Sequence, residues 1–508
     1  MGGIKASILL IQVEYRMDFD GYHFGIKYPD IFHRELTPLW LVTTTEALGF
    51  RPPEIASEPF VWCELGCGPG FGLVVAAASN PRGHFIGVDI NPEHMALAKD
   101  LALRVGLCNV EFHLADFATW SERSELTQCD FIVSHGVFSW ISAEKQQAVL
   151  KIIERCLKPM GLCYLGYMSH PGASPMMSIQ QMLLGYDDGS PNGMARGFEV
   201  LSALAAGGAG QFVEVPSLRE QLGRWQEQPS GYLAHEFLNR HWRPLHAAEV
   251  IEAMQSVGCD YLGSAAPIEN IDAVSLPEGV QEVIARMENP LLREVAKDMA
   301  RNQSQRLDIY QRGRQAMTSA EHRLALLKKV WTLLPTAPAP EAIQLETRIG
   351  PVGGIKEVFA PLFEQLLRGP RSFAGLLDLK PFRGNGGLLN QSLQMMMWAG
   401  WAHPLQTREG EKECSVLNRE ICHGRLLRGR DFDALAIPGI GSGLPVSRIE
   451  MAFHLALAEF PDISGHALHD TVRRTLSSDE ITDDEFADIE RRVLPWWRRL
   501  SVLPNIGQ

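Results

Sequence analysis

Hydrophobic and polar positions change period repeatedly along the first third of the chain. Phe60–Leu65 is a short apolar run that ends in a cluster of glycines, and Leu73–Ala78 behind it has helical character. His84–Ile90 is the next candidate strand. It is followed by Pro92–Val105, where a proline opens an amphipathic helix. Val110–Leu114 alternates as a strand, and Asp130–Ser134 is a further apolar run. Ala143–Leu157 recurs with the helical period before Gly161–Met168 closes the series. Strands alternating with helices at this spacing predict an α/β architecture, a parallel sheet covered by helices.

The rhythm then breaks. Residues 169–229, rich in Gly, Met, Ala and Gln with a soft loop at Ala205–Gly210, read as a mainly helical insertion. It resumes with a helix over His246–Val257 and a strand over Cys259–Ser264, which places the end of the first domain near residue 270. Residues 276–333 are helical in pattern, and Thr336–Pro340 reads as a Pro/Ala linker. Beyond it, Leu345–Ile349 is a candidate strand. Ile355–Leu367, Phe373–Leu379 and Leu388–Gly400 are candidate helices, and Ala402–Leu405 is a strand, an order that fits a winged-helix-like unit or a generic helical module. The expected division is therefore 1–270 with an insertion at about 170–229, a helical segment 271–335, and a C-terminal accessory domain 341–508.

Composition narrows what such a chain does. At 508 residues, 45% hydrophobic and 21% charged, it is an ordinary multidomain globular protein. No stretch approaches the roughly 18 uninterrupted apolar residues of a membrane helix. The run Ile8–Val13 is short, is interrupted by Gln12 and lacks a cleavage site, so a cytoplasmic location without membrane insertion is expected. A net charge of −13 counts against a nucleic-acid partner, although Arg419–Arg430 and Arg491–Arg499 form local basic clusters, read as solvated helix faces and loop ends. The nine cysteines, among them Cys63, Cys67, Cys129, Cys156 and Cys163, lie mostly in apolar runs without zinc spacing. They read as small buried hydrophobes in a reducing compartment, with no metal site.

The chemistry concentrates at three strand ends. Glu64-Leu-Gly66-Cys67-Gly68-Pro-Gly70 leaves the first strand and enters a helix, and its alternating glycines let the backbone turn tightly and approach a ligand. Asp89, in Gly87-Val-Asp-Ile90, ends the second strand about 20 residues further on, where a carboxylate accepts ribose hydroxyls. Asp116 follows the third strand, within reach of an adenine amino group, with Phe117 near the ring. Each alone reads equally as a turn glycine or a helix cap. Together, in order and spacing, they point to an adenosine-containing cofactor. A dinucleotide loop would read G-x-G-x-x-G and face a pyrophosphate. Here the spacing is G-x-G-x-G behind an acid, and Glu64 suits an ammonium or sulfonium instead.

This constellation resembles motif I of the class I S-adenosylmethionine-dependent methyltransferases, over roughly residues 60–168. The resemblance implies a Rossmann-like sheet with S-adenosyl-L-methionine as cofactor. Glu64, Gly66, Gly68 and Gly70 would line the methionine end, with Asp89 on the ribose and Asp116 on the adenine. Cys67, Ile90, Phe117 and Gly136, within the same motifs, are counted with them. The fourth strand ends Ser134-His-Gly-Val-Phe-Ser-Trp140, a loop that faces the methyl group in this fold. His135 there either accepts a proton from the nucleophile or fixes the loop, and Phe138 and Trp140 either desolvate an amine or pack in the core. The aromatic segment Tyr22–Tyr28 upstream would place Tyr22 or Tyr28 over the sulfonium, or merely pack as a lid.

His135–Trp140 and Tyr232-Leu-Ala-His-Glu-Phe-Leu carry a second resemblance, to methyltransferases with a methyltransferase regulatory domain, and within them to bacterial lysine methyltransferases of outer-membrane proteins. The glycine-rich interruption at Ala205–Gly210 departs from that group. His235 and Glu236, adjacent and read as strand residues facing opposite ways, do not suit a shared metal. The implied activity is methyl transfer to a nucleophile, with a protein lysine amine as first acceptor. A small-molecule or glycan O- or N-methyltransferase and a non-catalytic cofactor-binding regulator are the alternatives.

Overall fold

The computed structural model describes residues 18–19, 22–23, 27–188, 192–228, 230–339, 343–476 and 481–503. The run Ile8–Val13 and Pro340 of the linker lie outside them. The chain divides into two compact units: residues 1–28 with Pro175–Trp242, and Pro29–Ser174 with Arg243–Gln508.

The larger unit is built on a seven-stranded sheet. Its strands are β1 (Phe60–Leu65), β2 (Gly83–Asp89), β3 (Val110–Leu114), β4 (Cys129–His135), β5 (Leu157–Met168), β6 (Cys259–Ser264) and β7 (Gln305–Arg312). Their order across the sheet is β3-β2-β1-β4-β5-β7-β6, with β7 antiparallel to both neighbours. Phe60, Trp62, Cys63 and Leu65 of β1 and Phe85, Ile86 and Val88 of β2 are all buried. Side chains on both pleats are covered, as strands of a doubly covered parallel sheet require. Helices α1 (Phe71–Ser79), α2 (Pro92–Val105), α3 (Phe117–Ser121) and α4 (Ala143–Cys156) connect the first five strands.

The sheet crosses the expected boundary at residue 270. Gln305–Arg312, inside the segment expected to be helical, is the strand that joins β5 to β6. Its pattern was hidden because buried positions carry Arg306 and Asp308, charges that neutralise each other in the interior.

Helix α1 is apolar all round, and Phe71 and every residue of Leu73–Ser79 are buried. One side faces the sheet. The other is covered by a hairpin of β11 (Ala434–Ile437) and β12 (Ser442–Pro445). Phe71 stacks on Phe432, and Asn80 donates to the Gly441 carbonyl at 2.9 Å.

The module expected to be winged-helix-like or generically helical comprises β8 (Val330–Leu333), β9 (Arg371–Ser372) and β10 (Ala402–Pro404), paired in the order β9-β8-β10, with helices over Lys356–Arg368, Phe373–Leu377 and Gly386–Trp398. Because β8 precedes Thr336, the Pro/Ala linker is a connection inside this module and not its border. The expected strand at Leu345–Ile349 forms a separate hairpin, Gln344–Thr347 with Gly350–Gly353. The basic clusters are solvated as expected at Arg491, Arg492 and Arg428, and several of their arginines are also ion-paired. Arg430 forms a two-pronged pair with buried Asp30 at 2.8 Å, Arg428 pairs with Glu420, and Arg491 and Arg492 pair with Asp488.

The insertion is helical, as expected, and its helices run on to Phe237: α5 (Met176–Tyr186), α6 (Gly193–Ala206), α7 (Gly210–Glu214), α8 (Ser217–Gln226) and α9 (Ser230–Phe237), in a unit that also holds the short hairpin of Asp18–Phe19 with Tyr22–His23. Phe198, Leu201, Phe212, Leu222, Trp225 and Phe237 form its core. Among the described residues no helix is long and apolar enough to cross a membrane.

Candidate functional site

The carboxyl ends of β1, β2, β3 and β4 lie on one edge of the sheet, which brings the glycine loop, Asp89, Asp116 and His135 to the same side. In doubly wound sheets ligands sit outside this edge. The glycine loop owes its path to its composition. Gly66 and Gly70 have φ of 81° and 75°. A Cβ on Gly66 would stand 2.3 Å from Val137 Cγ2, and one on Gly70 2.5 Å from Ala98 Cβ. Both sites therefore need a glycine for conformation and for space.

Asp89 ties the loop to the sheet. Its Oδ2 accepts from the Gly68 amide at 2.9 Å and its Oδ1 from the Asn91 amide at 2.8 Å. His94 Nδ1 lies 3.6 Å from Oδ1. Glu64, at the end of β1, is buried, and its carboxyl accepts no hydrogen bond among the described residues. Burial, and then the neighbouring Asp89, push it up to about 8. A buried carboxyl beside a second carboxylate, with no cation acting on it among the described residues, suits a cationic group. The donor set thus fits the ammonium end of a methionine-derived cofactor, and the glycine-lined approach leaves room for it.

Asp116 is the N-cap of α3, accepting from the Ala118 amide at 2.8 Å and the Thr119 amide at 3.4 Å, and it pairs with Lys145 Nζ at 2.7 Å. Phe117 and Ile90 are half-buried next to their acids, and Cys67 is buried within the loop. Gly136, at φ 64°, begins the loop after β4 with open space where a Cβ would stand.

His135 is held from three sides. Its Nδ1 is 2.7 Å from the Tyr164 hydroxyl, its ring meets that of His33 at a tilt with centroids 4.0 Å apart, and it leans over Gly166, where a Cβ would come within 2.6 Å of Nδ1. Burial and the adjacent His33 hold it well below the usual imidazole value, so it is neutral at physiological pH. Phe138 and Trp140 are buried in the turn that follows. Sequence reasoning missed His33 and Tyr164, which lie far away in the chain from His135 and carry no motif. Lys145 and Val137 were missed too, although Val137 stands inside the His135–Trp140 motif.

Tyr22 and Tyr28 belong to the smaller unit. Tyr22 lies 5.3 Å from the His241 ring and Tyr28 stands edge-on to His235 at 5.4 Å. His235 and Glu236 are on helix α9, not on a strand as expected, because the segment packs Leu233 and Phe237 at helical spacing. Among the described residues no group of three or more His, Cys, Asp or Glu side chains is placed to hold a metal ion.

Comparison with known proteins places two family descriptions on the chain: a methyltransferase domain over residues 58–195 and a predicted methyltransferase regulatory domain over residues 229–312. An uncharacterized Synechocystis protein, sll1526, is 29% identical over 451 residues, covering 86% of this chain and 87% of that one. The trans-aconitate 2-methyltransferase of Streptomyces avermitilis is 33% identical over 92 residues, 18% of this chain and 33% of that enzyme. Among solved structures, PKMT2 of Rickettsia typhi in complex with AdoHcy superposes with a TM-score of 0.68 at 17% identity, covering 94% of this chain and 99% of that one.

Proposed function

From the premise that this chain is an S-adenosylmethionine-dependent methyltransferase, we propose that its acceptor is the side-chain amine of lysines in proteins. The observation that carries the reading is the extent of the likeness to PKMT2, a lysine methyltransferase: it covers 94% of this chain, well beyond the sheet. The trans-aconitate enzymes match only within 18% of the chain, so they speak for the sheet and not for the acceptor.

Glu64 and the glycine loop hold the methionine end of the cofactor, Asp89 the ribose, and Asp116 with Phe117 the adenine. The cofactor supplies a methyl group already activated on a sulfonium, so the protein has mainly to align and to dry the site. His135 is neutral and fixed by Tyr164, so it adds no positive charge near a sulfonium and shapes the loop after β4 as a positioning residue. Trp140, buried in the turn after β4, contributes an apolar wall that favours the neutral amine over the ammonium. A reducing, cytoplasmic setting fits the nine thiols, none of them in a disulfide.

The test is incubation of the full chain with methyl-labelled cofactor and fractionated bacterial protein. Acid-stable label on proteins, located on lysine by peptide mass spectrometry, is the expected result; label confined to the small-molecule fraction overturns the reading.

A further inference from the structure

Helix α9 opens the segment matched by the regulatory domain and carries Tyr232, His235 and Glu236 at positions i, i+3 and i+4, on one face. Tyr28 meets that face, edge-on to His235. Glu236 is near enough to both phenols to raise them, after burial: Tyr232 rises to about 12 and Tyr28 also goes up, so both rings remain neutral. Burial alone lifts Glu236, to about 7, and no lysine or arginine among the described residues acts on it. Asp30 and Asp308, by contrast, are buried carboxylates met by arginine.

We propose that Glu236, walled by Tyr28, Tyr232 and His235, is a binding site for an alkylammonium group, the side chain of a lysine or methylated lysine. A carboxylate supplies charge, and aromatic faces supply cation–π attraction that does not depend on donated hydrogen bonds. Such a site holds an ammonium whether or not it carries methyl groups. It gives the helical unit a role in choosing the acceptor. The inference borrows from the proposed function only the identity of the cation.

The experiment titrates the full chain with three probes: Nα-acetyl-lysine methylamide, its trimethyl-lysine counterpart, and the norleucine analogue that lacks the nitrogen. Both lysine probes should bind, with norleucine at least tenfold weaker. Glu236→Gln should weaken the lysine probes about tenfold and leave S-adenosylmethionine affinity unchanged, and Tyr232→Leu should weaken trimethyl-lysine several-fold. Equal binding of norleucine and lysine by the wild type overturns the site without relying on any variant. So does Glu236→Gln binding lysine like the wild type. The two readings fail separately in a labelled-methyl assay run in parallel. If wild type and Glu236→Gln methylate protein lysines with the same KM, the site falls and the function stands. If the lysine probe binds by way of Glu236 but no protein lysine is labelled, the function falls and the site stands.

Discussion

Two regions of the larger unit bury carboxyl groups, and they do so in opposite ways. On β7 and α10 (Pro290–Arg301), Arg306 sits among three acids. It donates to Asp308 at 3.0 and 3.1 Å, to Asp298 at 2.7 Å and to Glu294 at 3.0 Å. Tyr167 and Tyr310 donate their hydroxyls to Asp308, at 2.7 and 2.9 Å. At the glycine loop, Glu64 is buried beside Asp89 with no cation in reach among the described residues. The first arrangement brings its own counter-charge and is complete in itself. The second is incomplete, and what it lacks is what a cationic cofactor brings. A buried carboxyl thus marks a ligand only when the fold has left it unanswered.

The sharpest way to break this comparison is to remove the answer. Arg306→Met leaves Asp308 and Asp298 buried without their cation, and should destabilise the unit by about 3–5 kcal/mol in denaturant unfolding. The loss should shrink at pH 5.5, where Asp298, pushed up to about 7 mainly by burial against the pull of Arg306, is protonated. A variant as stable as wild type at pH 8 would mean that the network carries no such demand.

The same contrast explains what could be read in advance. The glycine loop announces itself because local conformation and close approach dictate residue type over a few positions. Helix α1 was legible as buried, since Phe71–Ser79 has no polar face, but nothing in its neighbourhood reveals that β11 and β12 supply its outer cover. Strand β7 was not legible: its interior positions are polar, and their partners lie on β5, β6 and α10. Likewise His33 and Tyr164 hold His135 through contacts that only the sheet and the segment before it create. Side chains that satisfy one another across the fold leave no pattern, whereas those that await a ligand are set by the local turn.

A smaller effect sharpens the second half of the comparison. In the absence of cofactor Glu64 is protonated below about 8, and it must ionise to meet an ammonium. Its folded value lies above its ordinary one, so the stability it lends is full at acid pH and is lost as pH rises through about 8. Ligand-free wild type should therefore become less stable between pH 6 and 9, while cofactor affinity rises over the same window and binding releases a proton. Glu64→Gln should flatten both profiles and weaken cofactor binding about tenfold, roughly 1.4 kcal/mol. Calorimetry in buffers of different ionisation enthalpy counts the proton directly. Unchanged proton release in the variant would locate the linkage elsewhere.

The smallest effect separates two duties of one residue. Asp116 caps α3 and pairs with Lys145, ordinary structural tasks of an aspartate, yet it also stands where an adenine amino group is expected. Asparagine caps as well as aspartate but carries no charge. Asp116→Asn should cost about 1 kcal/mol of stability, since its amide oxygen can still accept from the half-buried Lys145 while the charge is lost, and should lower cofactor affinity several-fold. Asp116→Ala loses the cap as well, at about 1 kcal/mol more. Should the asparagine variant bind cofactor like wild type, Asp116 belongs with the Arg306 network, as a carboxylate the fold has already answered, and only Glu64 and Asp89 remain to define the cofactor edge.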